Sequence, residues 1–107
     1  MAPEMTVDEL KAKLDKKERF VLLDVREKME LDIASIPGAA VTHIPLGQIP
    51  QRFAELDKSL PVAVLCRSGG RSAQATHCLR QQGYDATNVA GGILAWSARI
   101  DPSVPQY

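Results

Sequence analysis

Two four-residue runs constrain this chain more than anything else in it. Phe20-Val21-Leu22-Leu23 and Val62-Ala63-Val64-Leu65 are apolar without a break. A strand with one wet face alternates apolar and polar residues. A continuous run this short suits a strand covered on both faces, as in a parallel sheet between helices. The first run stops at Asp24. The second opens after Pro61 and stops at Cys66. Shorter strands are expected at residues 40–43, ended by Pro45, and at residues 86–89.

Helix signals fall between the strands. Thr6 and Glu9 have capping-box spacing, and Val7, Leu10, Ala12 and Leu14 give a mostly helical apolar face, so a helix is expected to about Asp15. Glu27 to Leu31 reads as a helical turn or two. Ile36-Pro37-Gly38-Ala39 reads as a turn. Ile49, Phe53 and Leu56 place a helix over residues 49–56. Ser72 is expected to cap a helix running through Gln82, with Gly83 closing it. Gly91-Gly92 is a turn before a last helix over residues 93–100, and Pro102 and Pro105 mark a non-helical tail. Alternating strands and helices predict an α/β fold with a mostly parallel sheet and helices on both faces.

Composition narrows the function. The 107 residues match one domain, 1–107, and 45% hydrophobic with 24% charged residues is ordinary for a globular chain. Formal charge is zero, which argues against general attraction to nucleic acid or membranes. No apolar run reaches the ~20 residues of a membrane span, and the charged N-terminus has no signal-peptide core. The two cysteines, Cys66 and Cys78, make no disulfide framework, so a reducing, cytoplasmic setting is expected. No C-x-x-C is present, and His43 and His77 lack ligand spacing, so neither a metal nor another cofactor is expected.

In a parallel α/β sheet the site lies at the carboxyl ends of the strands. Two such ends are unusual: Asp24-Val25-Arg26 and Cys66-Arg67-Ser68-Gly69-Gly70-Arg71-Ser72. Glycines let successive amides turn inward into a nest. A helix beginning beyond them adds its positive end. Arg67 and Arg71 add charge if they fold toward the loop. All three favour an anion, and the Cys66 thiolate can be that anion, with its pKa depressed. Cys66 is therefore the candidate nucleophile, and Arg67 through Ser72 the candidate substrate-binding cradle.

Four landmarks in order resemble the rhodanese family of sulfurtransferases: "LLDVREKMEL", "IPGAAVTHIPL", "VAVLCRSGGRSA" and "NVAGGILAW". The likeness covers nearly the whole chain. It implies a three-layer sandwich built on a five-stranded, mainly parallel sheet. It also implies that Cys66 carries sulfane sulfur as a persulfide, taken from thiosulfate or a protein persulfide. Many rhodaneses have Gly-His-Ile before Pro-Gly-Ala, whereas this chain has Ala34-Ser35-Ile36. That form, with the ending "AWSARIDPSVPQY", is similar to the C-terminal rhodanese domain of adenylyltransferase-sulfurtransferases. The resemblance implies a ubiquitin-like sulfur-carrier protein as a further partner. It leaves open a free-standing relative or an excised domain.

Four residues separate Cys66 from Arg71, where related dual-specificity phosphatases carry five. The shorter loop suits a sulfur better than a phosphoryl group. Asp24 and Arg26 are expected to hold the loop through a salt bridge or a hydrogen bond. Cys78 and Trp96 are expected to pack, and His77 to lie exposed on its helix. A monomeric enzyme is the leading expectation. The alternative is a non-catalytic rhodanese-like binding or regulatory module, of the kind that usually lacks the cysteine.

Overall fold

The computed structural model describes residues 2–107. Five strands, β1 (Glu4–Met5), β2 (Val21–Asp24), β3 (Val41–His43), β4 (Val62–Leu65) and β5 (Ala86–Val89), form one sheet in the order β1-β5-β4-β2-β3. Every pairing is parallel. The two continuous apolar runs are β2 and β4, adjacent at the centre, with Asp24 opposite Leu65.

The helices are α1 (Val7–Asp15), α2 (Lys28–Ile33), α3 (Ile49–Arg52), α4 (Gly70–Gln81) and α5 (Gly92–Arg99). Side chains alternate across the sheet, so each central strand feeds two cores. Ala63 and Leu65 face α1 and α5, packing with Leu10, Ile93 and Trp96. Val62 and Val64 face α3 and α4, packing with Ile49, Ala75 and Leu79. A fully buried leucine or valine contributes about 1.5–3 kcal/mol. Both faces of β4 contribute in this way, which is why its sequence lacks alternation. Helices lie on both faces, as expected. Among the described residues no helix is long and apolar enough to cross a membrane.

Several elements differ from the sequence reading, and α2 runs on to Ile33, two residues past the expected turn. The edge strand β1 was not anticipated; it spans two residues and pairs with β5, more than eighty positions away. The helix expected over residues 49–56 is four α-helical residues followed by a 3-10 turn over Phe53–Glu55. The helix expected to be capped by Ser72 begins three residues earlier, at Gly70, with Gly69 as its cap in the left-handed region (φ 107°). The glycine supplies backbone that serine would adopt only at a cost. Ser72 is thereby moved into the first turn and becomes fully buried. The Thr6–Glu9 capping box forms as expected, at 2.9 and 3.1 Å.

Candidate active site

Cys66 immediately follows β4, the middle strand, and is 1% exposed. Its sulfur sits under the first turn of α4. The Gly69 amide donates to Sγ at 3.1 Å, and the Ser72 hydroxyl lies 3.2 Å from it. Burial pushes the thiol up. The Ser72 hydroxyl and the amides of Ser72, Gly69 and Ser68 outweigh it, and the net pKa lies below the ordinary thiol value. These donors are the nest that the glycines permit, continuous with the helix N-terminus.

The outside of the loop is held just as closely. The first amides of α5 donate to the loop carbonyls: Ile93 to Cys66 at 2.9 Å and Leu94 to Arg67 at 3.0 Å. Carbonyls are drawn outward to α5 while amides turn inward to sulfur. Gly92 makes the approach possible. It has φ 60°, and a Cβ there would lie 2.6 Å from the Arg67 carbonyl carbon and overlap the Cys66 oxygen.

The two arginines of the loop face protein partners. Arg71 makes a bidentate ion pair with Glu30 of α2, at 2.7 and 2.8 Å. The Arg71 hydrogen bonds hold the Glu30 carboxyl at about 2, well below its usual range, against the opposing effect of its burial. Glu30 in turn raises Arg71, whose charge also couples to Cys66. Arg67 donates through Nε and Nη2 to the main-chain oxygen of Tyr107, and its guanidinium lies 5.2 Å from that ring's centre. Arg67, Ser68 and Gly70 are exposed.

Asp24 and Arg26 form a buried ion pair, 2.7 Å apart. Arg26 also donates to the carbonyl of Glu30, within α2, to that of Ala34, the C-cap of α2, and to the Tyr107 hydroxyl. A cation among the last carbonyls of a helix is favourable. The pair therefore reaches the cysteine loop indirectly, through α2 and its Glu30. His43 Nε2 contacts the Arg26 carbonyl at 2.6 Å. Cys78 is half-buried and packs against the α3–α4 core.

Three residues at the site were missed in the sequence: Glu30, Tyr107 and Asn88. Glu30 follows Glu27 at capping-box spacing, and its Oε1 accepts the Glu27 amide. Asn88 was visible only as a polar residue inside a short strand. Tyr107, whose hydroxyl donates to Glu30 at 2.8 Å, had no signal, because its partners are 77 and 81 positions away.

A cysteine at the end of the central strand of a parallel α/β sheet, its sulfur cradled by amides, defines a site built to stabilise a thiolate. Residues 6–99 match the model of the rhodanese-like domain, and the chain belongs to that family. A sulfurtransferase of Allochromatium vinosum is 39% identical over 105 residues, covering 97% of this chain and 96% of that one. An Arabidopsis thaliana adenylyltransferase and sulfurtransferase is 36% identical over 116 residues. That alignment covers 92% of this chain but 25% of the longer protein. The crystal structure of a rhodanese-related protein from Thermoplasma volcanium superposes with a TM-score of 0.83. It is 30% identical, with 98% of this chain and 99% of that one covered.

Proposed function

We propose that this chain is a sulfurtransferase that carries sulfane sulfur as a persulfide on Cys66. The observation that carries the reading is the set of donors converging on one buried sulfur whose thiolate they favour. The likeness to the Allochromatium vinosum sulfurtransferase, which matches over nearly the whole of both chains, supports the same class of reaction.

The chemistry takes two displacements. The Cys66 thiolate attacks the outer sulfur of thiosulfate. A new S–S bond forms, the sulfur–sulfur bond of the donor breaks, and sulfite leaves with the electron pair. The outer persulfide sulfur then lies among the loop amides, which do for it what an oxyanion hole does for oxygen. An acceptor nucleophile, cyanide in an assay or a thiol in a cell, attacks that sulfur. The Cys66 thiolate leaves, and its depressed pKa makes it a good leaving group. Donors and acceptors approach through the exposed Arg67, Ser68 and Gly70. The likeness to an adenylyltransferase and sulfurtransferase supports an adenylated, ubiquitin-like carrier as a cellular acceptor.

The test is thiocyanate formation from thiosulfate and cyanide. Cys66→Ser is expected to abolish turnover while staying folded. Cys78→Ser is expected to keep most of it and to melt slightly lower, because a hydroxyl replaces a thiol packed at the core edge. Equal loss in two folded variants would replace the persulfide with a two-cysteine cycle. Turnover retained by Cys66→Ser would remove Cys66 from the reaction.

A further inference from the structure

Asn88 is 1% exposed and belongs to β5, beside the catalytic strand. Its amide nitrogen donates to the Gly69 carbonyl and to a Glu4 carboxylate oxygen, each at 3.2 Å. Both partners are acceptors, so the orientation of the amide is settled: nitrogen toward Gly69 and Glu4, oxygen toward Ser72. The Ser72 hydroxyl lies 2.5 Å from Asn88 Oδ1 and 3.2 Å from Cys66 Sγ. A hydroxyl has one proton. It can make a well-aligned hydrogen bond to the asparagine or to the sulfur, one at a time.

We infer that Asn88 is a positioning residue that competes with the Cys66 sulfur for the single proton of the Ser72 hydroxyl. With Cys66 as a thiol, Ser72 donates to Asn88. When the sulfur becomes a thiolate, Ser72 turns to it and Asn88 Oδ1 loses its donor in a buried site, an unfavourable exchange. Asn88 thus limits how tightly Ser72 holds the charge. That limit balances the two displacements: a more tightly held thiolate leaves faster but attacks more slowly.

The inference rests on Cys66 as the reacting sulfur. Its test is the alkylation rate of Cys66 by iodoacetamide against pH, in a Cys78→Ser background and with no sulfur donor present. Failure here is therefore separate from failure of the sulfur-transfer reading. Charged groups around the loop are Arg67 and Arg71, Glu30 on α2, Asp24 at the end of β2, Arg26 beyond it, and Glu4 on β1. Asn88→Leu, which is close in shape, and Asn88→Ser, whose side chain is too short to reach, replace none of these groups; of them Glu4 loses one hydrogen bond, the one from Asn88 Nδ2. Either variant should lower the alkylation midpoint by about one pH unit, since a hydrogen bond to a charged group is then uncontested. Ser72→Ala should raise the midpoint, and adding Asn88→Leu or Asn88→Ser to it should produce no further fall. A residue that only packs the loop would loosen the Gly69 amide when removed and raise the midpoint. A rise, no change, or the same fall without Ser72 overturns the inference. Whichever of the two Asn88 variants folds carries the test.

Discussion

At the scale of single residues, the site is a matter of where one more atom would fit. Gly92 lets the start of α5 lie against the carbonyls of Cys66 and Arg67. Gly92→Ala would drive a Cβ into that backbone and force an unfavourable φ. It is expected to cost at least about 2 kcal/mol of stability and to reduce sulfur transfer more than Cys78→Ser does. Urea denaturation and thiocyanate formation on the same preparation check both. A stable, fully active Gly92→Ala protein would mean that α5 does not hold the loop. Much of the cysteine loop was readable in advance, because glycines, serines and a strand end carry their chemistry in the sequence. The partners of its arginines were not. Nothing near position 71 names Glu30, and nothing near position 67 names Tyr107.

At the scale of elements, α2 is a six-residue helix held at both ends. Arg26 donates to the carbonyls of Glu30 and of Ala34, just past the helix, and the Glu30 carboxylate ties its first turn to α4 through Arg71. The Glu30 carboxyl lies at about 2 in the folded protein and near 4.3 in an unfolded chain. A depressed carboxylate contributes stability above its unfolded value and loses it as pH falls through the folded one. The window is therefore about pH 4.5 to 2, and the contribution about 2 kcal/mol after allowing for solvent at Arg71. Glu30→Gln should be less stable than the parent at neutral pH, with the gap closing across that window. Urea midpoints at the two ends measure it. A gap that stays constant would show that the ion pair is not what ties α2 to α4.

Element types were legible where apolar spacing was strong: β2, β4, α1 and α5 appear where expected, within a residue. The failures have physical causes. The β1 strand is too short to carry a pattern, and its pairing depends on distant β5. The helix after β3 tightens into a 3-10 turn whose last amide bond runs from Leu56 to Phe53, and periodicity cannot see that change. The α4 boundary moved because Gly69 takes a cap geometry that serine is usually assumed to supply.

For the whole molecule, the strand order brings the ends of β2, β4 and β5 together. Each supplies a different part: β2 the Asp24–Arg26 pair, β4 the cysteine, β5 the Asn88 that meets Ser72. Two helical layers bury the sheet on both faces and leave its carboxyl edge as the place where a sulfur can be stabilised and reached. Parallel topology was legible from the continuous apolar runs, whereas the convergence of three strand ends belongs to the order of the sheet. The central claim is that this edge stores sulfur on Cys66. The direct measurement is intact mass after incubation with thiosulfate and removal of excess reagent, followed by peptide mapping. The account predicts one added sulfur atom, located on Cys66, removed by dithiothreitol and absent from Cys66→Ser. A folded protein that gains no sulfur, or that gains it on Cys78, would contradict it.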